Sequence, residues 1–208
     1  VPLRIPPGRA GRIWLVQRLE VARRGADVLD RKRQALLREQ RRVREEAEQA
    51  RAEWQKTAAE VALWSVRATT LDGPGRLELL VRHVEEPAAI DISWSNLMGA
   101  RLPTAQTVEL PTLPPVSALG GSSAAVFLAH ACCHATHAAA RAAAAQRADA
   151  ELAAELRRTA RRLTALRQRW IPQHETALAQ LDLALDETQR EEAVHARWRT
   201  RCHLVDRP

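Results

Sequence analysis

One apolar repeat runs unbroken from Leu15 to Leu71, and it limits what this chain can fold into. The steps alternate four and three through Leu15, Leu19, Ala22, Ala26, Leu29, Arg33, Leu36, Gln40, Val43, Ala47, Ala50, Trp54, Thr57, Val61, Trp64, Ala68 and Leu71, and only Arg33, Gln40 and Thr57 are polar. A repeat of about 3.5 residues keeps one stripe facing a partner helix, the mark of a coiled coil. The intervening residues are mostly Arg, Glu, Asp and Gln, as a solvated face requires. At ~1.5 Å per residue the predicted helix is roughly 85–90 Å long. A helix of that length is not the core of a compact domain; it spaces, transmits or scaffolds.

Composition agrees with a narrow seam rather than a thick core. Of 208 residues, 46% are hydrophobic, but Ala dominates, with one Phe and no Tyr. The net charge of +7 calls for an anionic partner or neighbour. Nearly all the cations are Arg, Lys32 and Lys56 being the only lysines. Cys132, Cys133 and Cys202 are odd in number, and no secretory signal precedes them, so a reduced, cytoplasmic setting is expected. The opening residues, Val1 to Gly11, are Pro- and Gly-rich with no apolar h-region. The nearest approach to a membrane span, Ala124 to Ala145, is mostly Ala and carries three His and Arg141, so it would insert poorly.

Three segments follow. Residues 1–71 form the first long helix, entered after Pro6-Pro7-Gly8 and stopped by Asp72-Gly73-Pro74-Gly75. Residues 72–122 form a small head. In it Arg76 to Val84 reads as a short further helix or a frayed continuation. Ile90, Ile92 and Trp94 then alternate with Asp91, Ser93 and Ser95 at strand spacing. Asn96-Leu97-Met98-Gly99 reads as a turn, and Leu102 to Leu110 as the returning strand, with Pro103 at its start, where a missing N–H matters least. Residues 123–208 form the second long helix, with an Ala-rich first half. Its later ladder is Leu152, Leu156, Leu163, Leu166, Trp170, His174, Leu178, Leu181 and Leu185. The steps of four from Leu166 to Leu178 are a stutter, and Pro172 removes a hydrogen bond, so the helix should loosen or bend there. The fold class is mainly α: a long antiparallel two-helix coiled coil with a β-hairpin-containing head in mid-sequence. Both chain ends are expected at one tip, with the head at the other.

Several constellations invite chemistry. Cys132, Cys133, His134 and His137, with His130 upstream, suggest zinc, and Cys133 and His137 share a helix face. No second ligand pair stands at finger-like spacing, so the cluster reads as an accident of an Ala-rich helix, with no metal expected. Gly73-Pro74-Gly75-Arg76 lacks the Gly-x-x-x-x-Gly-Lys-Ser/Thr of a phosphate loop and reads as a turn. Trp14, Trp54, Trp64, Trp94, Trp170 and Trp198 could stack bases beside a basic face. Trp54, Trp64 and Trp170 sit on the seams, however, where packing is their expected role. Glu187, Glu191 and Glu192 read as a solvated face rather than an acid pair. No nucleophilic triad is recognisable, so no catalysis and no cofactor are expected.

The order of these features resembles the D subunit of the V-type (archaeal/vacuolar-type) rotary ATPase, as found in some bacteria. The resemblance rests on Leu19, Ala22, Arg23, Arg24, Gly25, Leu29, Lys32, Arg33 and Leu36. It rests also on Asn96-Leu97-Met98-Gly99-Ala100-Arg101-Leu102-Pro103, and on Arg162 to Leu166, Ile171-Pro172, Leu185, Glu187, Arg190, Glu191 and Glu192. It implies a non-catalytic central-stalk shaft coupling ATP synthesis or hydrolysis to proton or sodium transport. The implied partners are a ring of catalytic A and non-catalytic B subunits, the stalk's F subunit on the side of the shaft, and a socket subunit joining it to the membrane rotor. The implied place is peripheral, on the cytoplasmic face of the plasma membrane, with no direct nucleic-acid contact.

Beside that resemblance, the residues suggest three roles. The seam, through Leu15, Leu19, Leu29, Leu36, Val43, Trp54, Val61, Leu163, Leu166, Trp170, Leu178, Leu181 and Leu185, would hold register. Arg9, Arg12, Arg18, Arg23, Arg24, Arg197, Arg199 and Arg201 would make a basic tip facing carboxylates of the catalytic ring. Met98, Gly99 and Pro103 would shape the head. The alternatives are a basic coiled-coil nucleic-acid binder driven by counterion release, or a cytoplasmic adaptor with a metal-regulated head.

Overall fold

The computed structural model describes residues 5–84, 86–112 and 120–205, apart from the side chains of 105 and 200–205. Its elements, in order, are α1 (Gly8–Asp72), α2 (Pro74–Arg82), β1 (Ala89–Leu97), β2 (Ala100–Glu109), α3 (Ser123–Thr164), a π-helical segment (Ala165–Trp170) and α4 (Ile171–Val205). The chain is mainly α, with two long helical stretches paired antiparallel and a hairpin between them in sequence. None of the described helices is long and apolar enough to cross a membrane. The contacts divide into a terminal unit, Val1–Arg33 with Arg158–Pro208, and a central unit, Gln34–Arg157.

Glycine and proline punctuate α1. A Cβ at Gly11 would fall 2.0 Å from the Pro6 carbonyl oxygen, so only Gly lets the entering chain pass so close. At the other end Gly73 takes φ 75° and its N–H donates to the Thr69 carbonyl at 3.0 Å. Pro74 then starts α2, where a missing N–H costs nothing. The solvated face is laced with pairs three or four residues apart, among them Arg44–Glu48, Lys56–Glu53 and Arg147–Glu151. Each stabilises its helix by about 0.2–0.5 kcal/mol.

In the central unit Leu36, Val43, Ala148 and Leu152 pack with Ala100 and Leu102 of β2, and Leu97 and Leu156 lie against them. The hairpin's turn end is thus seated on α1 and α3, while every residue from Ala89 to Asn96 is exposed. Leu97 pairs with Ala100 across a two-residue turn. Its residues Met98 (φ 50°) and Gly99 (φ 89°) both have positive φ, as hairpins with right-handed twist prefer. Asn96 Oδ1 accepts the Gly99 N–H at 3.0 Å. The returning strand begins at Ala100, two residues earlier than its hydrophobic pattern suggests. Pro103 therefore lies inside the strand. It is tolerated because the register breaks there: Ser93 faces Ala105 and Trp94 faces Pro103, leaving Thr104 as the extra residue of a bulge.

A second fastening joins α1 to the start of α3. The Asp72 carboxylate accepts from the Ser122 N–H at 2.9 Å and from its hydroxyl at 2.6 Å. Ser122 Oγ in turn accepts the Ala125 N–H, capping α3. Nearby, Trp64 stacks on Phe127, with ring centroids 4.6 Å apart.

Candidate functional site

The residues expected to carry function lie on the two seams, on the basic positions near the ends and in the hairpin. On α1, Leu15, Leu19, Leu36 and Val43 are buried, and Leu29 and Val61 half-buried. Trp54 departs from this, keeping 40% of its surface exposed, and so does Leu71 at 67%. The buried residues of α3's first half include Ala131, Ala138, Ala140 and Ala142. A seam of alanines draws two helices close and leaves no hole the size of an indole. On the returning stretch Leu163 is buried, and Leu166, Trp170, Leu178, Leu181 and Leu185 are half-buried. In the hairpin Met98 and Gly99 are exposed at the turn and Pro103 is half-buried.

In the terminal unit the two helices are tied by ion pairs that fix an antiparallel register. Arg12 Nε donates to Asp182 Oδ1 at 2.8 Å, and Arg23 Nη2 to Glu175 Oε1 at 2.6 Å. Arg167 Nη2 lies 3.4 Å from Asp30 Oδ2 and 3.8 Å from Asp27 Oδ1. Each is exposed, so each is worth at most about 1 kcal/mol, but they agree on one alignment. The expected basic tip is therefore partly neutralised. Arg12 and Arg23 are held by the opposite helix, Arg24 pairs with Glu20, and Arg18 stacks over Trp14 with its guanidinium carbon 4.5 Å from the ring centre. Arg199 Nε donates to the His195 carbonyl, and Arg9 and Arg197 are exposed. The Arg201 side chain lies outside the described residues.

The stutter takes a definite form. Residues Ala165–Trp170 are π-helical and lead directly into Ile171-Pro172. In an α-helix the Pro172 ring would press on the carbonyl four residues back, at Gln168. A turn widened to five-residue spacing relieves that contact and absorbs the extra residue of the stutter. Trp170 is locked on the far side of this segment. His174, 3% exposed, stacks on its indole with centroids 3.5 Å apart, and His174 Nδ1 lies 2.8 Å from the Trp170 carbonyl oxygen. A carbonyl oxygen only accepts, so Nδ1 is the donating nitrogen in that contact. Trp170 and Trp14, with Gln17, Arg18 and Val21, line an open cleft of about 500 Å³.

In the central unit an apolar cavity of about 320 Å³ lies between α2 and α3, bordered by Leu77, Leu80, Val84, Leu128, Cys132 and Cys133. Its partial cover, and then the neighbouring Cys133, push the Cys132 thiol up from its ordinary value, away from the reactive thiolate. His130, His134 and His137 are exposed on α3. Among the described residues no three His, Cys, Asp or Glu side chains converge as a metal site.

This architecture has close counterparts in sequence. The family model for the D subunit of ATP synthase matches residues 13–199. The chain is 30% identical over 190 residues to the V-type ATP synthase D subunit of Thermotoga neapolitana, covering 90% of this chain and 93% of that protein. It is 28% identical over 193 residues to the A-type ATP synthase D subunit of Pyrococcus furiosus, covering 91% and 90%. With the A-type ATP synthase D subunit of Pyrococcus horikoshii it shares 30% identity over 196 residues, again 91% and 90%. Matched across nearly its whole length, the chain belongs to the family of ATP synthase D subunits, the central-stalk subunits of V/A-type ATPases, whose general function is coupling to ion transport.

Proposed function

We propose that this chain is the non-catalytic rotor shaft of its ATPase complex, turning inside a ring of A and B subunits. It holds the F subunit on its side and meets a socket subunit that leads to the membrane rotor. The observation that carries this reading is the lopsided terminal unit. Its helices are registered by ion pairs of opposite charge, Arg12–Asp182, Arg23–Glu175 and Arg167–Asp30, around a buried Leu15, Leu19 and Leu163. A two-helix shaft has no threefold symmetry, so three surrounding sites meet three different faces at any angle. Differential contact of that kind shifts each site among its conformations, which is how an angle becomes an affinity. The seam holds the helices in register, the exposed arginines Arg9 and Arg197 face carboxylates of the ring, and the hairpin around Met98, Gly99 and Pro103 belongs to the head. The chain works at the cytoplasmic face of the plasma membrane as a peripheral member of the complex.

Co-expression with the A, B and F subunits tests this reading. The complex should hydrolyse ATP and rotate a bead fixed to this chain, while the chain alone hydrolyses none. A complex that drives ion transport equally well without the chain contradicts it.

A further inference from the structure

Between two of its cross-ties the terminal unit is soft in both helices at once. Arg23–Glu175 bounds this stretch on one side and Arg167–Asp30 on the other. Gly25 falls between them on α1, and Pro172 falls between them on the returning stretch. Gly25 sits in mid-helix and is half-buried, yet a Cβ there would meet nothing within 4 Å. Packing within the chain does not require glycine here, and its effect on α1 is a local loss of helix stability. At the same level the returning stretch is short of hydrogen bonds. The Ile171 N–H donates to the Leu166 carbonyl, five residues back, and Pro172 has no N–H to give. Proline and π turns are the usual places where helices bend, and glycine lowers the cost of bending.

The contacts between the helices are slack at this level too. From Leu19 to Leu29 the α1 seam holds only Ala22 and Ala26, so no large side chain of α1 interlocks there. Nearer the tip, Arg12–Asp182 and Arg23–Glu175 close at 2.8 and 2.6 Å. Arg167, inside the π turn, is instead shared. It stands 3.4 Å from Asp30 and 3.8 Å from Asp27, which lie about one turn apart on α1. A cation held between two carboxylates at the surface passes from one to the other at little cost.

We infer that Gly25 and residues 165–172 together form a bending joint in the shaft. The joint lets the tip, built from residues 8–24 and 175–199, tilt while the seam stays closed and Arg167 trades Asp30 for Asp27. Its role rests on the stalk reading above: a shaft that bends near its tip can follow a ring whose three sites press on it in turn.

Hydrogen exchange on the full chain tests the joint. Backbone amides of residues 25–29 and 168–174 should exchange faster than those of residues 36–43. Gly25→Ala should slow exchange about fivefold, the ordinary effect of this substitution inside a helix, at residues 25–29 and also at residues 168–174. Pro172→Ala should slow the same two segments, because coupling between two sites is reciprocal. Residues 36–43 should not respond to either variant. Slowing confined to the substituted helix overturns the inference, since two helices that loosen independently do not make a joint. Uniform slowing along the chain overturns it too, as do fast amides at neither segment. Repeating the comparison in the complex assembled with the A, B and F subunits separates the joint from its role. Amides that stay fast there support a working joint; amides as protected as residues 36–43 overturn it and leave the shaft reading standing. A chain whose two segments respond together but which never enters such a complex overturns the stalk reading and upholds the joint.

Discussion

The terminal and central units use the same antiparallel pairing and stabilise it by different means. The terminal unit joins Leu15, Leu19 and Leu163 in its seam and adds ion pairs between helices. The central unit lines much of its seam with alanine, and its larger buried side chains, Leu36, Val43 and Leu152, gather where the hairpin lands. It fixes the helix ends with the Asp72–Ser122 clasp. Large side chains allow separated helices whose flanks charges can bridge, while alanine brings helices close and leaves the anchoring to added parts. The difference teaches where each unit is vulnerable: the central unit at a few points, the terminal unit diffusely.

The largest effect should follow from emptying the central anchor. Leu152 is fully buried among Leu36, Val43 and Leu102, and Leu152→Ala should cost about 2–5 kcal/mol, read by chemical denaturation of the full chain. A loss below that range would mean that the hairpin is not the anchor. Next comes the clasp. Asp72→Ala removes a charged acceptor serving two donors of Ser122, and should cost about 1.5–3 kcal/mol. Hydrogen exchange should show the loss concentrated at the start of α3; uniform loosening would break the contrast. The smallest effect belongs to the terminal unit. A double-mutant cycle on Arg23 and Glu175 should give a coupling of about 0.2–1 kcal/mol, because both groups face water. A larger coupling would mean that a few points hold this unit too.

The elements were legible because their signals are periodic. The seven-residue repeat marks α1, and alternation at Ile90, Ile92 and Trp94 marks β1. Pro172 and the run of fours mark a disturbance, though not its form, since a widened turn and a bend leave the same trace in sequence. What escaped depended on partners far along the chain. Nothing near Trp54 reveals that α3 offers alanines opposite, and nothing near Asp72 names Ser122. Arg12 and Arg23 read as free charge because their partners lie about 150–170 residues away. A bulge has no periodic signature of its own, so the sequence pattern alone puts Pro103 at a strand start.

The account depends most on the antiparallel pairing within the terminal unit. Spin labels at Val16→Cys and Ala179→Cys, with Cys132, Cys133 and Cys202 replaced, measure it directly, since both positions border one cleft. Pulsed electron resonance should give a single short distance for that pair. Moving the second label from Ala179 to Arg161 should lengthen it by roughly 27 Å, the rise of about 18 helical residues. A broad distribution for the first pair, or a shorter distance on moving to Arg161, would contradict the pairing.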